Sequence, residues 1–303
     1  MMLEIIFVIV YCIAFVFNVM GNSIVIYIIC QKRKTSTDYL LLNMAFADLV
    51  YGVFVVIFLL ALSSSWFAPK YYHIVVESEV FCHVFTSGNI AWVAFVDSIL
   101  TMLVLSVERY FAVCRPYSFK ECFSTRNVKL IVVVSWVLSV AIIAPRNSGQ
   151  SCSSPRGDTA KVVSVISVVL SIATLVVLIV LSVKIYVSLW CKHSTIQPSE
   201  IKEIKEKKKK KKVTLCVLAV TVTYIVCSLP QFISNVLRVF RMPGTEEEVI
   251  MVQITLLLTF INSALDPYLF SFQNKRMRML SKKIFMCKSN SQPQVPAPEQ
   301  QVP

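Results

Sequence analysis

Charge is scarce in this chain, and acids are scarcer than bases. Of 303 residues only 16% are charged, and 17 Asp and Glu face 30 Lys and Arg. With 56% hydrophobic residues and a mean hydropathy of +0.69, a soluble globular domain is excluded and a helical membrane protein is indicated. Glycine is nearly missing, at six residues. With no alternating ten-residue segments either, an outer-membrane barrel is excluded. Three histidines, His73, His83 and His193, are scattered. No Cys or His pair has metal-ligand spacing and no nucleophile–base set is visible, so neither an enzyme nor a metal site is expected. The sequence also lacks an Asn-X-Ser/Thr sequon, so no N-glycan is expected.

What is abundant is long apolar sequence. Seven stretches are long enough to cross hydrocarbon, which needs about 20 residues each. They lie near 5–29, 39–63, 84–112, 128–145, 161–190, 213–240 and 249–272. The first has no positively charged leader and stays apolar too long for a signal peptide, so it reads as a true span entered almost without an outer tail. With the N-terminus outside, 24 of the 30 Lys and Arg fall in inner loops. That bias sets the orientation and accounts for the net charge of +13 without nucleic acid as a partner. The expected architecture is an all-α membrane protein. A seven-transmembrane bundle occupies 1–273, a short cytoplasmic amphipathic helix 274–286, and a disordered cytoplasmic tail 287–303. The run Lys207 to Lys212 leads into span six and reads as an anchor to anionic lipid heads.

Of ten cysteines, only Cys82 and Cys152 fall in outer loops, the oxidising side, and they are expected to form a disulfide. Cys30, Cys114, Cys122, Cys191 and Cys287 lie near the inner face and should be free or lipidated. Cys287 follows a basic amphipathic stretch and is the palmitoylation candidate.

Polar groups within hydrocarbon are costly and mark function by default. Span one has Asn22, read as a helix-packing residue. Span two has Asp48, span three Asp97 and Ser98, and span seven Asn262, Ser263 and Asp266. Two carboxylates near one depth, Asp48 and Asp266, need a cation or a proton between them. At about 100° per residue, Ala91, Phe95 and Ser98 share the face of Arg109, whereas Asp97 is turned by about 120° toward another neighbour. Pro230 and Pro267 remove backbone hydrogen bonds in mid-span and should kink spans six and seven.

The landmarks fall once per span and in order. They are Gly21-Asn22, the Leu42 to Asp48 segment, Glu108-Arg109-Tyr110, Trp136, Cys227-x-x-Pro230 and Asp266-Pro267-x-x-Phe270. In this the chain resembles the rhodopsin-like family of G-protein-coupled receptors, over nearly its whole length. The resemblance implies an extracellular ligand and a heterotrimeric G protein as partners, in a plasma-membrane bilayer. It implies that Glu108 holds Arg109 at rest, and that Tyr186 stabilises the active state. It further implies that Asp48, Ser98, Asn262 and Asp266 line a pocket for a sodium ion.

Several residues depart from the family pattern. Ser228 replaces the usual tryptophan, and Phe270 the usual tyrosine. Span five has no proline. Lys210 stands where some members carry a glutamate that latches the arginine, so no ionic latch to span six is expected. Cys82 lies 27 residues before Arg109, two more than is usual. With latch and toggle both altered, appreciable ligand-free activity is expected. Ala91 occupies the position where amine receptors carry an aspartate, which points to a non-aminergic small molecule or peptide. The expected lining of its slot is Ala91, Trp92, Phe95, Ser228 and Gln231. An ion or proton transporter built on Asp48, Asp97 and Asp266 is the rival reading, and a receptor-like protein that does not couple is the third.

Overall fold

A computed structural model describes residues 2–31, 33–67, 88–144, 158–190, 201–240 and 246–271. They form eight helices: α1 (Met2–Cys30), α2 (Ser36–Phe67), α3 (Asn89–Cys114), α4 (Pro116–Cys122), α5 (Thr125–Ile143), α6 (Asp158–Trp190), α7 (Ile201–Phe240) and α8 (Glu246–Ser271). Seven correspond to the expected spans, and no strand occurs among the described residues. Six are long and apolar enough to cross a membrane by length and composition. α8 takes the seventh place in the ring, packed between α1 and α7.

Local chemistry sets the helix ends. Thr35 caps α2 in a reciprocal box: its hydroxyl accepts from the Asp38 amide at 3.3 Å, while Asp38 accepts from the Thr35 amide at 2.9 Å. Ser124 accepts from the Asn127 amide to cap α5. Two boundaries differ from expectation. The loop after Arg109 contains the short helix α4, begun by Pro116 at its favoured first position. The lysine run lies inside α7, which starts at Ile201 instead of after the lysines.

α3 is the central helix, packed on α2, α5, α6 and α7. Its inner half joins a core of Leu40, Met44, Met102, Leu105, Leu178, Val217, Val220 and Tyr224. The outer faces of α1, α5 and α6 stay apolar and exposed, with Ile13, Val137 and Val176 each more than half exposed. That is the surface a helix presents to lipid. Hydroxyls in the spans bond back to their own helix, as Thr221 does to the Val217 carbonyl and Ser106 to the Met102 carbonyl.

Two glycines permit close approach. A side chain at Gly21 would lie 2.5 Å from the Pro267 ring, and one at Gly52 would lie 2.5 Å from the Asn18 side-chain oxygen. Pro267 has a further effect. Lacking an N–H, it leaves the Ser263 carbonyl without its helical donor, and Asn22 Nδ2 donates to that carbonyl at 3.4 Å. The α1–α8 contact thus repairs the backbone that the proline breaks, and Asn22 packs helices as its sequence position suggested.

Candidate functional site

Two polar centres are stacked along α3. At its inner end Glu108 is fully buried and Arg109 is 6% exposed. Arg109 donates from Nε and one terminal nitrogen to the two Glu108 carboxylate oxygens. This bidentate geometry is the strong form of the pair. Thr37 at the start of α2 closes the group. Its hydroxyl accepts from Arg109 at 2.6 Å and donates to Glu108 at 2.7 Å. Buried opposite charges need such extra hydrogen bonds to offset desolvation. Glu108 therefore holds Arg109, and Thr37 is a partner that sequence reasoning missed.

Tyr110 packs edge-on against Phe111, and Lys184 Nζ of α6 lies 6.0 Å from its ring centre. Tyr186 is 54% exposed while its neighbour Ile185 is buried. In this conformation α6 turns Tyr186 outward.

One layer further out, Asp48 and Asp266 are buried and line a common cavity of about 10 Å³ with Ser98, Asn262 and Ser263. Ser98 donates to Asp48 Oδ1 at 2.9 Å. Asp48 Oδ2, Asn262 Oδ1 and both Asp266 oxygens are buried without a hydrogen bond among the described residues. Four acceptors therefore surround a space of the size that one water needs. Asn18 of α1, fully buried, donates to the Ser263 hydroxyl at 3.0 Å and so extends the cluster. Its position, four residues before Asn22, was the available signal.

Asp97 is excluded from this centre, as its angle on α3 predicted. It accepts from Ser135 of α5 at 2.6 Å and from Asn43 of α2 at 2.8 Å. Asn43 also donates to Thr101 at 2.8 Å and accepts from Trp136 Nε1 at 2.9 Å. Trp136 thus belongs to a polar joint of α2, α3 and α5, whose members Asn43 and Ser135 were not singled out from sequence.

The expected outer slot does not include Ala91. Ala91 is buried in a cluster with Tyr51, Val55, Ala94 and Phe260, so it is core and does not line an opening. Phe95 packs on Trp92 at 5.8 Å and on Tyr51 at 5.3 Å, and also lines the carboxylate cavity below. Ser228 and Gln231 sit half-buried on α7 around Pro230. Pro230 and Pro267 both lie inside continuous helices. Cys30, Cys114 and Cys122 are free thiols. Cys82, Cys152, Cys287 and the side chain of Phe270 lie outside the described residues, as does the expected inner helix 274–286.

Comparison with known proteins adds the following. A family model described as "7 transmembrane receptor (rhodopsin family)" matches residues 21–270. The histamine H2 receptor of Homo sapiens is 26% identical over 287 residues, covering 89% of this chain and 77% of that protein. The Gq-coupled rhodopsin of Mizuhopecten yessoensis is 28% identical over 142 residues, or 46% of this chain and 27% of its own length. The trissin receptor of Drosophila melanogaster is 28% identical over 147 residues, or 47% and 20%. The chain thus spans about a quarter or less of the latter two relatives.

Proposed function

Because this chain belongs to the rhodopsin family of seven-transmembrane receptors, we propose that it passes an extracellular ligand signal to a heterotrimeric G protein through Arg109. The observation that carries this reading is the inner end of α3, where a buried arginine is held by Glu108 and Thr37 alone among the described residues. Such a group is poised for release. When the inner ends of the helices part, the guanidinium becomes free to meet acceptors on a partner. Beside it α4 displays Tyr117, 93% exposed, as an apolar contact for that partner. The family supports a plasma-membrane location, and the excess of cations in the inner loops supports an N-terminus outside.

The test is loading of a GTP analogue onto a panel of Gα subunits in membranes containing the protein. Arg109→Ala should abolish loading. Thr37→Val removes one of two restraints on Arg109 and should raise ligand-free loading severalfold at matched surface expression, while Thr37→Ser should behave as wild type. Loading that survives in Arg109→Ala would overturn the assignment.

The family implies a sodium ion at the carboxylate cavity, and the residues fit one. Hard oxygen ligands suit such a cation, and the four orphaned acceptors are oxygens. Asp48, Ser98, Asn262 and Asp266 would hold it, and the ion would supply the positive charge that two neighbouring carboxylates lack. Purified protein should then unfold a few degrees higher in sodium chloride than in choline chloride, by ligand linkage. Asp48→Asn should remove the difference. Equal midpoints for the unsubstituted protein would count against the ion.

On the ligand the indications diverge. The histamine H2 receptor is named for an amine, yet no carboxylate stands at Ala91 to pair with an ammonium group. We favour a non-aminergic small molecule or peptide end contacting Trp92, Phe95, Ser228 and Gln231. Displacement studies on Trp92→Ala and Gln231→Ala would decide it, and unchanged affinity in both would exclude this lining.

A further inference from the structure

We propose that Asn18 is a positioning residue for the carboxylate cavity. By donating to Ser263 it turns a lone pair of that hydroxyl toward the cavity, and so raises the affinity for a small hard cation. The inference rests on the reading of the cavity as a sodium site. It adds a residue of α1, a helix with no residue among the described ones that line the cavity.

Asn18 carries a cost where it stands. Its side chain is fully buried, and its Oδ1 has no hydrogen bond among the described residues. A buried acceptor left unmatched is unfavourable, whereas an apolar side chain of the same shape carries no such penalty. Gly52, one turn outward from Asp48 on α2, makes room for the amide: a Cβ there would lie 2.5 Å from Asn18 Oδ1. Packing alone therefore does not explain this residue. What the amide provides is the Nδ2 donor to the Ser263 hydroxyl at 3.0 Å.

Ser263 behaves unlike other hydroxyls in the spans. Ser106, Ser139, Thr221 and Thr223 each donate to the carbonyl four residues earlier in their own helix, at 2.8–3.0 Å. Back-bonding of this kind is common for such residues within a helix. Ser263 instead directs its hydrogen across to α2, toward the Asp48 carbonyl at 3.5 Å. Its backbone is held as well, since Asn22 Nδ2 donates to the Ser263 carbonyl at 3.4 Å and to the Asn18 carbonyl at 3.1 Å. α1 thus grips Ser263 by both of its acceptor oxygens.

The hydrogen count gives the consequence. A hydroxyl has one hydrogen and two lone pairs. With the hydrogen directed at α2 and one lone pair filled by Asn18, the second lone pair is left for the cavity that Ser263 lines. It joins the four orphaned acceptors of Asp48, Asn262 and Asp266, and hard cations take oxygen ligands. Without Asn18 the hydroxyl is free to rotate and to donate to those acceptors. A hydrogen aimed there opposes a cation and satisfies part of what the cation would satisfy. Outer partners that orient a ligand in this way change metal affinity by about 10–100-fold.

Unfolding midpoints of the purified full chain in detergent, taken as sodium chloride replaces choline chloride at constant ionic strength, give the sodium affinity of each variant. Asn18→Leu keeps the bulk and removes both the donor and the orphaned acceptor. It should raise the sodium concentration for half effect by about tenfold, while its midpoint in choline chloride stays level or rises. A purely structural amide would give the reverse, a lower midpoint in choline chloride and an unchanged sodium response. Ser263→Ala should weaken sodium to a similar degree. Adding Asn18→Leu to it should weaken sodium no further, because the two act through one oxygen. Asn18→Ala supplies the measurement if leucine does not fit beside Gly52. If the unsubstituted protein responds to sodium and the Asn18 variants respond alike, or if the two sites add independently, this proposal alone falls. No sodium response in the unsubstituted protein would overturn the cation reading and this inference together.

Discussion

Asp97→Ala should destabilise the bundle by about 1–3 kcal/mol, because it leaves one buried N–H of Asn43 without an acceptor, while Ser135 keeps its bond to the Val132 carbonyl at 2.9 Å. The carboxylate is the common acceptor of the α2–α3–α5 joint, taking Ser135 at 2.6 Å and Asn43 at 2.8 Å. Water cannot replace it in hydrocarbon. Asp97→Asn makes a finer test. Its carbonyl can still accept from Ser135, but its amide then opposes the Asn43 amide. Asn43 can relieve that clash by turning over, and it then forfeits the bond from Trp136 Nε1. A loss of about 1–2 kcal/mol, near the net value of one or two hydrogen bonds, is expected. Unfolding midpoints in detergent, read by thiol labelling of buried Cys227, measure both. A midpoint for Asp97→Ala within a degree of the unsubstituted protein would show that the joint is not structural.

Gly21→Ala should cost a similar amount through the opposite mechanism, one methyl too many. The added carbon would lie 2.5 Å from Pro267 Cγ and 3.0 Å from Tyr268 Cε2. The proline ring cannot rotate away, so α1 must move off α8. Movement there also strains three bonds between the helices: Asn18 to the Ser263 hydroxyl, Asn22 to the Ser263 carbonyl, and Tyr268 to the Phe17 carbonyl. Overpacking of this kind costs about 1–3 kcal/mol. Val16→Ala on the outward face of α1 serves as control and should change stability by no more than about 0.5 kcal/mol. If both variants melted alike, the close approach of α1 to α8 would carry no weight.

These two sites show what could be read before the fold was known. The spans were legible because hydrocarbon thickness fixes their length. The partition of α3 was legible because helical periodicity separates Ser98 from Asp97 by itself. Glu108 beside Arg109 was legible because adjacent opposite charges at a helix end have few other partners. The partners on other helices were not. Thr37, Asn43, Asn18 and Ser135 are small polar residues of a kind that membrane helices commonly satisfy internally. Which of them reach across depends on the rotation of two helices at once, and sequence spacing within one helix does not supply it. Tyr186 illustrates the same limit. Its place on α6 was plain, but the direction it faces depends on how α6 rolls against α3 and α7. Ala91 was read as lining because it shares a face with Arg109. That face is filled there by Tyr51 and Phe260, contributed by α2 and α8.

Near the inner end a hydroxyl pair, Ser106 and Thr221 at 3.4 Å, links α3 to α7. Each hydroxyl also bonds a carbonyl of its own helix, so parting the two leaves neither unsatisfied. In energetic terms this pair adds little to the separation between closed and open arrangements of α7, and the apolar contacts beside it can re-form elsewhere along the same helices. A gap of about 1.4 kcal/mol would leave roughly one molecule in ten open at any moment. For such a bundle a ligand adjusts a population that is already mixed, and its efficacy can carry either sign. On the coupling proposed above, compounds that lower exchange below the ligand-free level should be found as readily as compounds that raise it.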